Sequence, residues 1–261
     1  MNAGITSRAN AIPPPPRPDW AYFLDVDGTL VYFAERPEAI HVDAELLALI
    51  QRVHRACDGA LALVSGRALN DLDARLGDLR IPIAGQHGLE LRDAQGRIFR
   101  HENTHSANRE WLKERLLSLA VRHSGVLIED KGSALAVHYR QAPLLASYIH
   151  RQAKRWLMDS GLPLEPQEGR YVLEFKPATH NKGTAITEFM QRSPFAGRPP
   201  VFIGDDVTDE HGFEQVNQLH GLSIKVGKGA TRARWRLADV TAVRQWLAAI
   251  PMKEERANEH P

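Results

Sequence analysis

The sequence predicts an α/β fold in which a core domain with a parallel sheet is interrupted by a smaller inserted α+β domain. Short, continuous apolar runs alternate with helical patterns near both ends of the chain, which is typical of parallel strands joined by crossover helices. Carboxylate or hydroxyl side chains directly follow several of these runs. Between residues 107 and 177 the alternation stops, and paired strands with two helices indicate a separate unit.

Composition and charge limit the partners and the cysteine sites that this chain can have. The 261 residues suffice for a large core, and 33 basic against 32 acidic residues give a net charge of +1. This balance offers no electrostatic argument for a nucleic acid or a membrane surface as partner. No apolar run approaches the roughly 20 residues of a transmembrane helix. The single cysteine, Cys57, excludes an intrachain disulfide and a multi-cysteine zinc site, and we expect a reducing, cytoplasmic setting.

The ends of the chain differ from the rest. Residues 1–19 are polar and then rich in proline, without the apolar region of a signal peptide, and predict a disordered lead-in with polyproline character. Residues 251–261 form a charged tail. The predicted core domain therefore spans residues 20–106 and 178–250, and the predicted insert spans residues 107–177.

The first motif follows the apolar run Ala21–Leu24, which predicts a buried strand. Asp25 and Asp27 come where this strand ends, and Gly28 turns the chain. Ligands of open α/β sheets bind at the carboxyl ends of the strands. One carboxylate there can attack or hold a metal while the other transfers protons. An ordinary solvated turn uses the same Asp-Gly dipeptide, so the bare pair leaves both interpretations open.

A helix with Asp43 as its N-cap then leads to a second apolar strand, residues 60–64. Ser65 follows this strand and precedes another helix near Asn70. A hydroxyl and backbone N–H groups at a helix N-terminus can bind an anion, although an ordinary helix cap has the same pattern.

A third short strand, residues 81–84, runs into a β-hairpin that turns at residues 93–96. His87 lies at the end of the third strand. It is either a hydrogen-bonded structural residue or a residue that faces the substrate.

The predicted insert combines helices and antiparallel strands. Its elements are a helix at 108–123, strands at 126–129 and 134–139, a helix at 144–158, a loop at 161–166 and a strand at 171–175. Acidic and basic side chains concentrate on these strands: Glu129, Lys131, Glu174 and Lys176. A solvated sheet face would have the same composition, but hydrogen-bond donors and acceptors on one surface also suit the hydroxyl groups of a sugar.

The α/β pattern returns at Lys182, in the first turn of a helix, where a lysine can supply a point charge to a phosphate. A further buried strand, residues 201–204, ends in an acidic cluster consisting of Asp205, Asp206, Asp209 and Glu210. We expect Thr208 to cap the next helix. So many acids at a strand end favour a bound cation, and oxygen ligands of this kind suit Mg²⁺. Strand Leu222–Val226 and a closing helix complete the chain.

The motifs DVDGTL, Ser65, Lys182 and GDDVTD occur in an order that resembles the phosphohydrolases of the haloacid dehalogenase (HAD) superfamily. That resemblance implies a HAD-like Rossmannoid core with a cap domain after the third strand. The segments GQHGLELRD, EDKGSALAVHYRQAP, LEFKP with NKGTAI, and GDDVTDEHGF are similar to those of the bacterial type of trehalose-6-phosphate phosphatases. The resemblance covers roughly residues 20 to 250.

The resemblance implies Mg²⁺-dependent hydrolysis of trehalose 6-phosphate, in trehalose biosynthesis, through a phosphoaspartate on Asp25. Asp27 would transfer protons, and Ser65 and Lys182 would hold the phosphoryl oxygens. The implied metal ligands are the carboxylates of Asp25 and Asp205 and the backbone carbonyl of Asp27. Asp206 and Asp209 would orient Lys182 and metal-bound water.

The resemblance also implies the substrate contacts. These would come from Gly66, Arg67, His87, Glu129, Lys131, Glu174 and Lys176. The implied partner is a small sugar phosphate, with a functional link to a trehalose-6-phosphate synthase.

Other functions remain open at this stage. A related phosphatase could act on sucrose 6-phosphate or a hexose phosphate, and a phosphomutase would use the same aspartyl chemistry. A non-catalytic binding module would not need every expected catalytic side chain. A zinc hydrolase is disfavoured because His101 and His105 lack a third ligand with evident spacing.

Overall fold

The computed structural model describes residues 11–32, 42–100, 107–130, 134–162, 164–169, 171–177 and 180–252. The chain divides into two compact units. The larger unit comprises Met1–Arg100 and Asn181–Pro261, and the smaller unit comprises His101–His180. The predicted insert, residues 107–177, falls within the smaller unit.

The elements in chain order are as follows. The strands are β1 Ala21–Leu24, β2 Leu61–Val64, β3 Ile83–Gly85, β4 Glu90–Arg92, β5 Ile98–Arg100, β6 Leu127–Asp130, β7 Leu135–His138, β8 Leu164–Gly169, β9 Val172–Pro177, β10 Pro200–Gly204, β11 Leu222–Val226 and β12 Trp235–Leu237. The helices are α1 Ala44–Ala56, α2 Leu69–Leu76, α3 Ala107–Arg122, α4 Ala146–Ser160, α5 Lys182–Met190, α6 Glu210–Gln218 and α7 Val240–Ala248. Within the described segments, none of the helices has the length and hydrophobicity that a membrane span requires.

The sheet of the larger unit has the strand order β12-β11-β10-β1-β2-β3-β4-β5. From β12 to β3 all pairs are parallel, and the hairpin of β4 and β5 extends the sheet antiparallel. Every residue of β1, β2 and β10 is buried, which explains their continuous apolar sequences. Because these strands are parallel neighbours, their carboxyl ends meet at one edge of the sheet. The predicted α/β core is confirmed.

Part of the proline-rich lead-in is fixed to the core. The indole Nε1 of Trp246 donates a hydrogen bond to the carbonyl of Pro14 at 2.9 Å, and the Tyr22 hydroxyl donates to the carbonyl of Arg17 at 2.6 Å. The prediction of disorder over residues 1–19 is therefore wrong for residues 11–19. A polyproline segment keeps its carbonyls free to accept hydrogen bonds and loses little conformational entropy on docking. Residues 1–10 and 253–261 lie outside the described residues.

The smaller unit is an antiparallel sheet, ordered β6-β7-β9-β8, with two helices on one face. Leu116 of α3 and Ile149 of α4 are buried with Leu135 and Phe175 of the sheet. The prediction of a loop at 161–166 is wrong for residues 164–166, which form the first half of strand β8. Its sequence, LEPQEG, contains a proline and no apolar alternation, and it forms an edge strand, where a proline is tolerated.

Candidate active site

Three carboxylates converge where β1 and β10 end. One oxygen from each of Asp25, Asp205 and Asp209 lies within 4.8 Å of the other two. Asp25 and Asp209 are buried, and Asp205 is partly exposed. Asp25 extends the β1 ladder, since its N–H donates to the carbonyl of Ile203 at 3.0 Å. The parallel pairing of β1 with β10 therefore brings together acids that are about 180 residues apart in the sequence.

Lys182 is the buried cation of this cluster. Its Nζ donates to Asp25 Oδ1 at 2.7 Å and to Asp209 Oδ1 at 2.6 Å, with a side chain that is only 3% exposed. The start of α5 is fixed by Asn181, whose side chain accepts the N–H groups of Gly183 and Thr184 in a capping box. Burial by itself would lower the pKa of Lys182, but the two carboxylates raise it above its ordinary value. The ammonium therefore stays charged.

One lysine does not neutralise the three acids. Burial raises the pKa of Asp25 well above its ordinary value, and the charges of Asp209 and Asp205 raise it further against the opposing effect of Lys182. Burial and the neighbouring charges of Asp209 and Asp206 raise the pKa of Asp205 to about 7. Such shifts indicate an excess of negative charge in a place with little water.

The donor set of this cluster fits a divalent cation. Oδ1 of Asp205 is buried and has no hydrogen-bond partner among the described residues. The free-energy cost of removing this oxygen from water is therefore not offset by a hydrogen bond. Carboxylate oxygens are the ligands that Mg²⁺ takes in proteins, usually in small number and together with water. Asp209 differs, because its Oδ2 accepts the N–H groups of Asp205 at 2.8 Å and Asp206 at 2.9 Å. Its contacts support the orienting function that was expected for it.

The loop after β10 is held by its own side chains. Asp206 Oδ1 accepts from the N–H of Thr208 at 2.7 Å and from its hydroxyl at 2.6 Å. Burial works to raise the pKa of Asp206, but Lys182, these hydrogen bonds and His87 hold it below its ordinary value. The prediction that Thr208 caps α6 is wrong, because its hydroxyl is used within the loop and the helix begins after Asp209.

Lys225 is a site residue that the sequence analysis missed. It lies on β11, next to β10, is 5% exposed, and its ammonium donates to the backbone carbonyl of Asp205. The available signal was a lysine between Ile224 and Val226 in a predicted buried strand. A buried lysine needs a partner, and here that partner is the loop that carries the acids.

Ser65 lies at the end of β2 and is fully buried. Its Oγ accepts the N–H of Arg67 at 3.2 Å. The His87 ring packs against Gly66, where a Cβ would lie 2.8 Å from Nε2 of His87, so a larger residue at this position would displace the ring. The first amide of α2, that of Leu69, donates to the carboxylate of Glu90 at 2.9 Å. That amide is therefore occupied by a side chain of the protein.

Arg67 and Asp27 form an ion pair with two hydrogen bonds. Arg67 Nε lies 2.7 Å from Asp27 Oδ2, and Arg67 Nη2 lies 2.9 Å from Asp27 Oδ1. Arg67, which the resemblance predicts to contact the substrate, therefore contacts the predicted proton-transfer residue. Its contact with the substrate stays a prediction. His87 has a left-handed backbone (φ 59°), and its N–H donates to the carbonyl of Ser65 at 2.9 Å.

In the smaller unit, three of the predicted sugar-binding residues, Glu129, Glu174 and Lys176, are on one sheet. Glu129 and Glu174 both pair with Ala136 of β7, in one row across the strands, and the Glu129 carboxylate lies 2.9 Å from Nε2 of His138. Lys176 is buried, with its ammonium 3.7 Å from the Glu165 carboxylate. Lys131 lies outside the described residues.

Comparison with known proteins identifies the family of this chain. A family model described as trehalose-phosphatase matches residues 23–241. The trehalose-6-phosphate phosphatase of Escherichia coli K12 is 42% identical over 241 residues, 92% of this chain and 90% of the relative.

Two solved structures are also similar. The crystal structure of a trehalose-6-phosphate phosphatase related protein matches with a TM-score of 0.66 and 30% identity, over 87% of this chain and 95% of that one. A haloacid dehalogenase-like hydrolase from B. subtilis, 13% identical, covers 87% of this chain and 99% of its own with a TM-score of 0.59, which supports the fold alone. The acids and the serine lie at the ends of adjacent strands, and the lysine lies in the first turn of α5. Because the family match also covers most of its length, this chain belongs to the trehalose-phosphatase family of HAD-fold phosphohydrolases.

Proposed function

We propose that this protein hydrolyses trehalose 6-phosphate to trehalose and inorganic phosphate with Mg²⁺ as cofactor. The observation that supports it most is the Lys182 ammonium, which bridges Asp25 and Asp209. It lies beside the Asp205 Oδ1, which has no hydrogen-bond partner in the part of the chain that the structure describes. Membership of the family supports the substrate class, a sugar phosphate. The substrate must come from a trehalose-6-phosphate synthase, so we also propose a functional link to such an enzyme. A cytoplasmic location stays a prediction from the sequence.

In the first step, an oxygen of the Asp25 carboxylate attacks phosphorus and forms an acyl phosphate. The bond between phosphorus and the C6 oxygen of the sugar breaks, and that oxygen takes a proton from Asp27. Lys182, in contact with Asp25, and Ser65 at the next strand end hold the phosphoryl oxygens. Phosphoryl transfer requires mainly positioning and charge stabilisation, which a buried, fixed lysine provides.

In the second step, water attacks the acyl phosphate and gives its proton to Asp27. The bond between phosphorus and the Asp25 oxygen breaks, which releases inorganic phosphate and regenerates the carboxylate. The two steps account for two aspartates spaced two residues apart at one strand end, since the nucleophile and the proton-transfer residue must reach the same phosphate.

The carboxylates of Asp25 and Asp205 and the backbone carbonyl of Asp27 would hold Mg²⁺. When bound, the ion neutralises charge on the phosphate and the attacking carboxylate. Asp209 and Asp206 hold Lys182 and the loop that carries Asp205 through the hydrogen bonds described above.

Phosphate release from a panel of esters tests the proposal. We expect Mg²⁺-dependent turnover of trehalose 6-phosphate in strong preference to sucrose 6-phosphate, glucose 6-phosphate and p-nitrophenyl phosphate. EDTA should lower the rate to background, because the uncompensated acids then keep phosphate out, and added Mg²⁺ should restore it. Equal turnover of all esters would contradict the proposal that trehalose 6-phosphate is the specific substrate. Isomerisation of a sugar phosphate without release of phosphate would indicate a phosphomutase.

We further propose that Glu129 and Glu174, together with Lys131 and Lys176, bind sugar hydroxyls. In the sheet β6-β7-β9-β8, Glu129 and Glu174 lie in one row, on the face opposite the one that packs against the helices α3 and α4. Their charged oxygens are suitable acceptors for the hydroxyl donors of a sugar. His87 and Gly66 stay predictions as substrate contacts.

Glu174→Ala is expected to lower kcat/KM for trehalose 6-phosphate by roughly 10- to 100-fold, the value of a hydrogen bond to a charged group. Turnover of p-nitrophenyl phosphate, which has no sugar, should change by less than about twofold. The matched control is Glu168→Ala, because Glu168 is on the neighbouring strand but pairs with Lys154 of a covering helix. Equal losses for both substrates in Glu174→Ala would argue against a function in specificity.

A further inference from the structure

We propose that Arg67 is the positioning residue of the proton-transfer step, because its guanidinium holds the Asp27 carboxylate in place. The inference rests on the proposed function, in which Asp27 transfers the proton. It assigns Arg67 an action through Asp27 that is separate from contact with the substrate phosphate.

The contact has the geometry of a specific pair. Two guanidinium nitrogens, Nε and Nη2, each donate to a different oxygen of Asp27, at 2.7 Å and 2.9 Å. The side chains are 13% and 24% exposed, so water competes only weakly for these hydrogen bonds. A fork of this kind fixes both the position and the plane of a carboxylate.

The backbone of Arg67 is fixed from both sides. Its N–H donates to Ser65 Oγ, and its carbonyl accepts the N–H of Gln86 at 2.8 Å. The end of β3 approaches so closely that a Cβ on Gly85 would lie 2.9 Å from the Arg67 carbonyl oxygen. The guanidinium therefore starts from a rigid base at the ends of β2 and β3.

The other side of the guanidinium is held as well. Arg67 Nη1 donates to Asp71 Oδ2 at 2.7 Å, and Asp71 Oδ1 accepts from Arg75 Nη2 at 3.0 Å. Asp71 and Arg75 are one turn apart on α2. The alternating chain Arg75–Asp71–Arg67–Asp27 thus anchors Asp27 to a helix.

This anchoring matters because proton transfer requires a donor within about 2.6–3.2 Å of the leaving oxygen. Asp27 lies in the turn that contains Gly28, whose φ is 77°, and the side-chain hydrogen bonds to its carboxylate among the described residues come from Arg67. A protonated carboxyl has one acceptor oxygen and one O–H group. It can keep one hydrogen bond to Arg67 and direct the O–H to the leaving group.

A contact with the substrate phosphate alone predicts a different result. A residue that binds only phosphate affects all phosphate esters equally, since the phosphate is common to them. A residue that positions the proton donor matters more as the leaving group becomes more basic, because only such a leaving group needs the proton.

The test measures kcat/KM for a series of aryl phosphates whose leaving groups differ in basicity, with p-nitrophenyl phosphate as the least basic. kcat/KM reports the steps up to departure of the leaving group. General acid catalysis contributes roughly 10²–10⁴-fold, so Arg67→Ala should lose about 100-fold more activity on the most basic member than on p-nitrophenyl phosphate. Arg67→Lys keeps the charge without the fork and should lie between Arg67→Ala and the unmodified protein.

Arg80→Ala is the matched control, because it removes an exposed arginine that follows α2 and that donates to the carbonyl of Gly77, away from Asp27. It should keep the leaving-group dependence of the unmodified protein. The same factor of loss across the series in both Arg67 variants would overturn the proposal, and so would an equally steep leaving-group dependence in Arg80→Ala. If Arg67→Ala does not fold, the leaving-group dependence of Arg67→Lys is compared with that of the unmodified protein instead. Failure to hydrolyse trehalose 6-phosphate would refute the proposed function separately, since the aryl series does not use that substrate.

Discussion

Asp25→Asn is expected to abolish phosphate release while the protein stays folded. The amide has the shape of the carboxylate but cannot form the acyl phosphate, so we expect kcat to fall by roughly 10⁴-fold or more. Its oxygen can still accept the hydrogen bond from Lys182, which also keeps Asp209 as a partner. Steady-state phosphate release with saturating Mg²⁺ measures the loss.

Stability separates loss of chemistry from loss of fold. The pKa of Asp25 is raised in the folded protein, so a charge at this position opposes folding and its removal should not lower the melting temperature. Asp58→Asn is the matched control: Asp58 is exposed on a turn with φ 50°, which asparagine also tolerates. Residual activity of Asp25→Asn near the level of this control would contradict Asp25 as the nucleophile.

Much of the core domain could be predicted because strands that are buried on both faces of the sheet have continuous apolar sequences. β1 and β11 were predicted at their observed ends, since each is a continuous apolar run between polar breaks. Asp25, Ser65 and Asp205 directly follow β1, β2 and β10, so their common location could be predicted because neighbouring parallel strands align their carboxyl ends. This reasoning needs no information on how distant side chains meet.

Contacts between distant side chains could not be predicted in the same way. Arg67 and Asp27 are 40 residues apart, and only the neighbouring positions of β1 and β2 make their pairing possible. β8 was missed because an edge strand is exposed and needs no apolar alternation. Asp209, expected to orient other groups, proved fully buried, since α6 brings it beneath the loop that it binds.

Lys182→Met is expected to destabilise the protein as well as inactivate it. It removes the cation between Asp25 and Asp209, and breaking a buried ion pair from one side costs about 3–5 kcal/mol. Methionine is similar in length, so little packing is lost. Denaturant unfolding of the metal-free protein measures the change in free energy of unfolding.

The loss of stability in Lys182→Met should depend on pH, and its sign follows from the carboxylates of Asp25 and Asp209, which remain in this variant. Lys182 lowers the pKa of Asp25 and of Asp209 against their burial, so without it both pKa values rise further in the folded state. Acids with a raised pKa bind more protons when folded, so stability falls as pH rises through those values. The loss should therefore be larger at about pH 8 than at about pH 5. A loss independent of pH would mean that packing, and not charge, is responsible.

Combining the two substitutions identifies which charge is responsible for the cost. Lys182→Met alone leaves the carboxylates of Asp25 and Asp209 without their cation. In the double variant Asp25→Asn with Lys182→Met, the Asp25 carboxylate is replaced by an amide, and Asp209 still accepts the N–H groups of Asp205 and Asp206. The double variant should therefore be more stable than Lys182→Met alone, although it has one more substitution. Such non-additivity is expected only for groups in contact. Strict additivity would show that Lys182 and Asp25 do not interact in the folded protein, and the proposed phosphate site would then lose its central ion pair.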